Sequence, residues 1–246
     1  MGGVLPVLGE TCCAVLSLVR NPRAFRLRDA ARAFERASYD GLPVTVGIGW
    51  LIGVILAFQC AAALTTFGVE IYVSDMLAIA LFRELGPIIT AVVLAGRTGS
   101  AFAAEIGAMK INEELDALTT MGLSPVRFLV LPRLAAAVLA MPILTIAAEL
   151  AGLFGGALVL SLMNVPTVVF WNHVAASTTV FMILFGLAKS MLFGLLVALL
   201  GCAAGISTRL QADGVGQAAT TAVVQSIIAI AVSDGALALM CYIWGV

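Results

Sequence analysis

Charged residues are scarce in this sequence, at 11% of its 246 residues, whereas soluble domains carry roughly 25%. Hydrophobic residues make up 62%, and the mean hydropathy is +1.11. Long uncharged stretches exclude an ordinary soluble domain and predict several membrane-spanning helices. These stretches are apolar on every face, whereas barrel strands alternate apolar and polar residues, so we expect an all-α integral membrane protein.

The sequence also lacks the motifs of covalent, metal and nucleotide chemistry. Its five cysteines are scattered without a CxxC pair, and its single histidine, His173, is expected at a membrane interface. Gly186–Ser190 imitates a phosphate-binding loop, but Ala188 precedes Lys189 and Ile183 stands at the first glycine position. We therefore predict no enzyme, no metal site and no ATP hydrolysis by this chain alone. The net charge of −1 also suggests no nucleic-acid partner.

The first 40 residues carry most of the arginines. Arg28, Arg32 and Arg36 recur every four residues and form one basic ridge among apolar residues. This pattern is typical of an amphipathic helix lying in the headgroup region, which we predict over residues 23–39. An ordinary cytosolic flank is the alternative. We treat residues 1–40 as a separate N-terminal interfacial segment.

Five stretches are long enough to cross a bilayer, which takes about 20 residues. We predict spans at Gly41–Val69, from after Asp75 to about Arg97, from after Arg133 to about Met163, at Thr179–Ile206 and at Val215–Trp244. An uncharged loop is expected over residues 164–173. Glycine pairs spaced by four predict close helix packing at Gly49/Gly53, Gly152/Gly156 and Gly201/Gly205.

Positive charges are distributed unequally between the connections. The N-terminal flank and the connections after spans two and four hold eleven Lys and Arg residues, and the other two connections hold none. The positive-inside rule then predicts a cytoplasmic N-terminus and an external C-terminus, which agrees with an odd number of spans.

Charge also enters the membrane in span two. Arg83 and Glu84 precede Leu85–Gly96, a stretch of twelve residues that is too short to cross alone. At least one charge therefore lies at membrane depth, at a cost of about 2.5–3.5 kcal/mol. Either these charges line a polar cavity, or they pair with Lys189, Glu149 or Asp234 only to hold the bundle together. Pro87 predicts a kink beside them.

The connection after span two contains a predicted amphipathic helix. Ile111, Leu115 and Leu118 fall on one face, and Lys110, Glu113 and Glu114 fall on another. Gly122 is a plausible C-terminal cap, and Ser124-Pro125 predicts the start of the next helix. The apolar face either lies on lipid or docks into a groove of a soluble partner.

Several blocks in order carry a resemblance to a known family. They are Arg83-Glu84-Leu85-Gly86-Pro87, Ala95-Gly96-Arg97-x-Gly99-Ser100, Ala104-Glu105-Ile106-Gly107-x-Met109, Glu113-x-Leu115 and Pro132-Arg133. In this order and spacing they resemble the MlaE/YrbE permease family, the membrane subunits of MCE-type ABC transporters. The resemblance covers about residues 40–246 and is strongest over residues 83–133, and we treat residues 41–246 as the permease domain.

The resemblance implies a dimer, usually of two identical chains, in the inner membrane. It implies a soluble ATPase that binds ATP and Mg²⁺ and docks on a cytoplasmic coupling helix, and an MCE-domain protein on the outer face. The implied coupling residues are Glu105, Lys110, Ile111, Glu113, Leu115, Leu118 and Met121. The implied lipid-binding residues are Leu56, Gln59, Ala63, Leu64, Phe67, Arg83, Glu84 and Leu85.

Two functions follow as hypotheses. The first is a permease subunit that moves phospholipids or related lipids between membranes, driven by a separate ATPase. The alternative is a non-transporting membrane scaffold that anchors an ATPase or an MCE-domain partner. A stand-alone secondary carrier is disfavoured because no internal sequence repeat is evident.

Overall fold

Helices account for nearly all of the chain that the computed structural model describes, which comprises residue 9, residues 27–211 and residues 213–244. Within residues 27–244 the α-helices are α1 (Leu27–Leu64), α2 (Val73–Ala80), α3 (Gly86–Leu94), α4 (Ser100–Ile111), α5 (Glu114–Thr120), α6 (Leu131–Leu162), α7 (Thr167–Ser177), α8 (Val180–Ile206) and α9 (Gly214–Trp244). Short 3₁₀ turns lie at Thr65–Phe67 and Glu70–Tyr72, and π-helical turns lie at Leu81–Leu85, Ala95–Gly99 and Val126–Val130.

Five helical runs are long and apolar enough to span a membrane, which confirms the predicted all-α fold with five spans. They are Leu27–Phe67, Glu70–Ile111, Val126–Leu162, Val180–Ile206 and Gly214–Ile243. Spans one and two have 41 and 42 residues. At 1.5 Å per residue each is about 60 Å long, twice the thickness of the hydrocarbon core. Both spans therefore project well beyond the membrane.

All described lysines and arginines outside the membrane lie at one end of the bundle, which we call the basic end. Spans one, three and five begin there, and spans two and four end there. The connection between spans two and three also lies at the basic end, and α7 lies at the opposite end. The N-terminal prediction lies partly outside the described residues, because residues 23–26 are not among them. From Leu27 onward the helix continues unbroken through residue 40 into span one.

The predicted loop at residues 164–173 is wrong, because most of it lies in α7. The carbonyl of Pro166 accepts hydrogen bonds from the N–H groups of Val169 and Phe170, which starts the helix. Phe170 and Val174 are buried against the ends of spans two and three. Absence of charge suggested an exposed connection, but these apolar side chains stabilise a helix that covers the opposite end.

Glycines set the closest helix crossings, as the glycine pairs predict. A Cβ on Gly53 would collide with the backbone of Gly152, so spans one and three are in backbone contact there. A Cβ on Gly201 would lie 2.7 Å from the carbonyl oxygen of Gly99, which brings span four against the second π turn of span two. The first contact therefore fastens span one to span three, and the second fastens span two to span four.

Candidate functional site

The first π turn of span two, Leu81–Leu85, carries Arg83 and Glu84. Single π turns inside α-helices are rare and occur often at functional sites. Pro87 has no N–H, so the carbonyl four residues earlier, that of Arg83, loses its normal α-helical donor. The ammonium group of Lys189 lies 3.4 Å from that oxygen and donates to it. The proline thus opens the backbone where a buried cation can reach it.

Lys189 of span four lies at the centre of a cluster of charges from three spans. Its Nζ donates to a carboxylate oxygen of Glu84 and lies 2.6 Å from Oδ1 of Asp234 in span five. Nε of Arg83 lies 3.8 Å from the other oxygen of Glu84. We call these four residues the central charge cluster. Its two cations and two anions sum to zero, which lowers the cost of placing charge at this depth.

Burial differs across the central charge cluster. The side chain of Lys189 is only 1% exposed, whereas Arg83 is 37% exposed and Glu84 is 34% exposed. Lys189 therefore acts as an internal clamp between spans two, four and five. Arg83 and Glu84 lie at the surface of the bundle, where a ligand or another chain can reach them.

The two alternatives for Arg83 and Glu84 are therefore not exclusive. Glu84 does pair with Lys189, and Lys189 with Asp234, as the bundle-holding alternative expects. Glu149, the third suggested partner, makes no ion pair among the described residues and is buried against Gly86 instead. The partial exposure of Arg83 and Glu84 leaves room for a ligand as well.

The predicted lipid-binding residues of span one form a stripe that leads from this cluster towards the opposite end. Leu56, Leu64 and Leu85 pack against the apolar core between spans one, two and three. Gln59, Ala63 and Phe67 are exposed, Phe67 to 78%. The structure thus places the eight predicted residues on two neighbouring spans, with half-buried leucines beside an open apolar and polar surface.

Lys189 and Asp234 are central to the site, but sequence reasoning considered them only as partners that hold the bundle. The available signal was their charge within spans four and five. A charge in a span is costly and therefore marks a function or a partner. The sequence does not show that these residues come together, since Glu84 and Lys189 are 105 positions apart.

The implied coupling residues, which run from Glu105 to Met121, lie on two helices rather than one. Glu113 adopts a left-handed conformation with φ of 61°, which ends α4 and starts α5 in a new direction. Gly122, with φ of 75°, terminates α5 as predicted, and the N–H groups of Gly122 and Leu123 bond back to its last turn. Span three then begins at Val126, earlier than predicted.

The apolar face of α5 packs on its own bundle. Leu115 and Leu118 are 8% and 9% exposed, and Leu115 belongs to the core at the basic end. That face is therefore available neither to lipid nor to a partner, which corrects the expectation that it docks outward. The exposed face carries Glu114 and Asp116, and Met121 is exposed at the end of the helix.

Backbone contacts also join this segment to span four. Nζ of Lys110 donates to the carbonyl of Ile206 at 2.7 Å, where span four ends. Ile111 is half-buried beside it. A Cβ on Gly107 would lie 2.7 Å from Oγ1 of Thr208, so α4 and the end of span four are packed tightly. A displacement of α4 would therefore move the end of span four with it.

A second group of charges lies at the basic end, around the second π turn. Arg97 donates to the carbonyl of Asp40 and lies 3.4 Å from its carboxylate. Glu105 accepts a hydrogen bond of 2.9 Å from Arg133 and lies 3.8 Å from Arg36. We call these five residues the basic-end network. It joins the first helix to span two and to the start of span three.

Comparison with known proteins extends over most of the chain. The model of the family described as Permease MlaE matches residues 30–240. A probable ABC transporter permease protein of Synechocystis is 40% identical over 84% of this chain and 79% of its own length. The intermembrane phospholipid transport system permease protein MlaE of Haemophilus influenzae is 35% identical over 74% of this chain and 70% of its own length.

A third relative comes from a plant. The chloroplastic protein Trigalactosyldiacylglycerol 1 of Arabidopsis thaliana is 32% identical over 84% of this chain and 59% of its own length.

Proposed function

Because the chain belongs to the MlaE permease family, we propose that it is the membrane subunit of an ABC transporter that moves phospholipids or related lipids between membranes. One observation carries this proposal. A single helical run, Glu70–Ile111, joins the central charge cluster to the segment that ends in α5. One helical run thus connects a candidate lipid site within the membrane to a candidate energy-input site outside it.

The lipid end comprises Arg83, Glu84 and Leu85 with the span-one stripe of Leu56, Gln59, Ala63, Leu64 and Phe67. The guanidinium of Arg83 is suited to a lipid phosphate because it presents several donors to an anion. The leucines and Phe67 offer apolar area to acyl chains. Their exposure in the single chain supports a pocket that a second copy closes.

The energy end comprises α5 and its flanks. We infer that a separate ATPase, which binds ATP and Mg²⁺, docks on the exposed acidic face around Glu113, Glu114 and Asp116, with Met121 as an apolar contact. Leu115 and Leu118 would then transmit the displacement to the bundle, because they fasten α5 to it. This chain would contribute no catalytic group to hydrolysis and no cofactor.

Two further partners complete the proposal. In the most apolar stretch of span five only 17% is buried within the chain, whereas the corresponding share for span three is 61%. The large unburied surface of span five supports contact with a second copy of the chain. An MCE-domain protein would sit over α7 at the opposite end. In this arrangement the basic end faces the cytoplasm of the inner membrane, as the positive-inside rule predicts.

Lipid occupancy tests the lipid end. The double substitution Arg83→Ala with Glu84→Ala leaves Lys189 paired with Asp234, so the bundle keeps its internal clamp. We expect lipid bound to the purified transporter, and transfer between vesicles, to fall about tenfold, since a charged hydrogen bond contributes about 1.5–3 kcal/mol. Glu70→Ala, at the far end of the same span, is the control. Unchanged lipid occupancy in the double variant would rule out this site.

Reversal of the acidic face tests the energy end. Lysines at Glu113, Glu114 and Asp116 change only exposed positions and leave Leu115 and Leu118 in place. We expect loss of ATPase co-purification, whereas Asp213→Lys, exposed in the connection after span four, should have no effect. A wild-type complex that binds the ATPase but moves no lipid would instead favour the scaffold alternative.

A further inference from the structure

A cavity of about 370 Å³ lies at the basic end, between the first helix, α4 and the start of span three. Its wall includes Arg32, Arg36, Arg97 and Arg133 together with the carboxylates of Asp40 and Glu105. The cavity is separate from the central charge cluster. The cavity lies beside the second π turn of span two, whereas the cluster lies at the first π turn, deeper in the membrane. Of the residues on the cavity wall, only Glu105 is among the implied coupling residues, and none belongs to the span-one stripe.

The depth of this cavity coincides with the edge of the membrane. Asp40 precedes the uncharged run of span one, Arg97 follows the uncharged run of span two, and Arg133 precedes that of span three. In each of these three spans, the sequence thus changes from charged to uncharged residues at the level of the cavity. Lipid phosphates and amines lie at this level of a bilayer, since the headgroup region flanks the hydrocarbon core.

The charges on the wall retain capacity for a ligand. The side chains of Arg36 and Arg97 are 77% and 45% exposed, and their ion pairs are long, at 3.8 Å and 3.4 Å. Arg32 is exposed and makes no ion pair among the described residues. A guanidinium has five N–H donors, so each of these groups can hold a phosphate oxygen while it keeps its present partner.

The wall carries charges of both signs, and this mixture favours a ligand that also carries both a positive and a negative charge. Besides four arginines it contains three carboxylates, those of Asp29, Asp40 and Glu105. A head group with only negative charge would lie beside these carboxylates unfavourably. A head group with one phosphate and one amine can place its phosphate on the arginines and its amine on a carboxylate.

The carboxylates of the wall favour a primary amine over a quaternary one, which has no N–H to donate. Quaternary amines bind over aromatic faces, and two rings line this wall, the half-buried Phe128 and the buried Phe102. The guanidinium of Arg133 already covers the ring of Phe102, 5.7 Å from its centre. A primary ammonium instead donates hydrogen bonds to carboxylates such as that of Asp40.

We propose that the cavity at the basic end binds the phosphoethanolamine head group of a lipid in the adjacent leaflet. The phosphate lies against Arg32, Arg36 and Arg97, and the ammonium lies against Asp40 or Glu105. The site requires only that the chain spans a bilayer. Its test is therefore independent of ATP-driven transfer and of the residues at the lipid end.

Photocrosslinking in vesicles tests the site on the full chain. Benzoylphenylalanine replaces Ala101, an exposed residue on the cavity wall, or Ala108, which is exposed two turns along the same helix and outside the wall. The vesicles contain phosphatidylethanolamine and phosphatidylglycerol in equal parts. We expect position 101, and not position 108, to capture phosphatidylethanolamine in preference to phosphatidylglycerol.

Substitutions in the wall then identify the groups that bind. Arg36→Gln with Arg97→Gln should lower capture at position 101 about tenfold, the effect of losing one charged hydrogen bond. Arg28→Gln, one turn from Arg32 and outside the wall, should leave it unchanged. Asp40→Asn should reduce the preference for phosphatidylethanolamine without reducing capture of phosphatidylglycerol. Thermal unfolding of each variant, matched to wild type, shows that the fold is retained.

Three outcomes would overturn the proposal. Equal capture at positions 101 and 108 means that no lipid enters the cavity. Preference for phosphatidylglycerol means that the carboxylates do not select the ligand. Loss of capture when inorganic phosphate or ATP is added means that the arginines serve a soluble phosphate compound and not a lipid.

Discussion

Span two carries two groups of charges that differ in their surroundings far more than in their chemistry. The central charge cluster and the basic-end network are both built on a π turn, and both join arginine or lysine to carboxylates of other helices. In the first, Lys189 is 1% exposed. In the second, Arg36 is 77% exposed and Glu105 is 46% exposed.

This difference in burial decides what each group can do. Lys189 is almost fully buried, so water cannot replace a partner that it loses, and its pairs stabilise one arrangement of spans two, four and five. Most of the basic-end network is solvated, since Arg36, Asp40, Arg97 and Glu105 are each at least 45% exposed and only Arg133 is largely buried, so most of its ion pairs contribute little net stability. Its charges can therefore exchange partners with a head group or shift when α5 moves.

Removal of Lys189 should produce the largest effect. Lys189→Met retains the length of the side chain but leaves Asp234 without its cation, and Glu84 keeps only the more distant Arg83. Breaking a buried ion pair costs about 3–5 kcal/mol, and we expect that loss in the free energy of unfolding in mixed micelles. Lys110→Met, which removes one charged hydrogen bond to a backbone carbonyl, should cost less, about 1.5 kcal/mol.

A neutral cluster provides the rescue for this prediction. When Lys189→Met is combined with Asp234→Asn, the cluster retains only Arg83 and Glu84, which pair with each other and whose charges sum to zero. Stability should recover by more than half of the loss. If the double variant is as unstable as Lys189→Met alone, then packing rather than charge explains the effect.

The next largest effect is expected where α5 meets the bundle, because apolar burial rather than charge fastens it there. Leu118→Ala should lower the free energy of unfolding by about 2 kcal/mol, the lower end of the range for buried leucines. Asp116→Ala on the exposed face should leave it unchanged. The same pair separates stability from ATPase docking, since only Asp116 faces outward. Equal destabilisation by both would show that the charged face also packs.

Much of the fold could be predicted from the sequence because hydrocarbon allows few alternatives. A backbone in lipid must satisfy its own hydrogen bonds, so long uncharged runs become helices, and glycine pairs such as Gly49/Gly53 mark where they touch. Helix α7 escaped prediction because its eleven residues are too few to span. Only tertiary contact of Phe170 with the core shows why it forms.

The site was predictable in part. Arg83 and Glu84 were identifiable because charge is costly at depth, whereas their partner Lys189 became evident only once three spans were packed together. The direction of α5 could not be read from periodicity, because an amphipathic helix has the same pattern whether it packs inward or outward. The left-handed Glu113 that turns α5 onto the bundle has no sequence signal of its own.

Alanine substitutions of the glycines at the two π turns should have smaller effects on stability, and these effects should differ between the turns. A Cβ on Gly86, just after the first turn, would lie 2.6 Å from Cγ and Oε1 of Glu149. Gly86→Ala should therefore destabilise the chain by about 1–3 kcal/mol through overpacking. Gly96, in the second turn, faces open space, so Gly96→Ala should be neutral or stabilising by up to about 1 kcal/mol. Similar losses at both positions would mean that a partner covers Gly96.

The smallest effect is expected for Arg133→Gln, and its dependence on salt should differ from that of Lys189→Met. Arg133 bonds Glu105 at 2.9 Å and the carbonyl of Leu129 at 3.1 Å, but Glu105 is nearly half exposed. We expect a loss of about 1 kcal/mol or less in the free energy of unfolding at low salt.

The loss caused by Arg133→Gln should shrink between 0.15 and 1 M salt, as the Debye length falls from about 8 to 3 Å. Buried pairs are screened far less, so the loss caused by Lys189→Met should not change with salt. Equal salt dependence of the two losses would mean that water reaches Lys189 and that the central charge cluster is as solvated as the basic end.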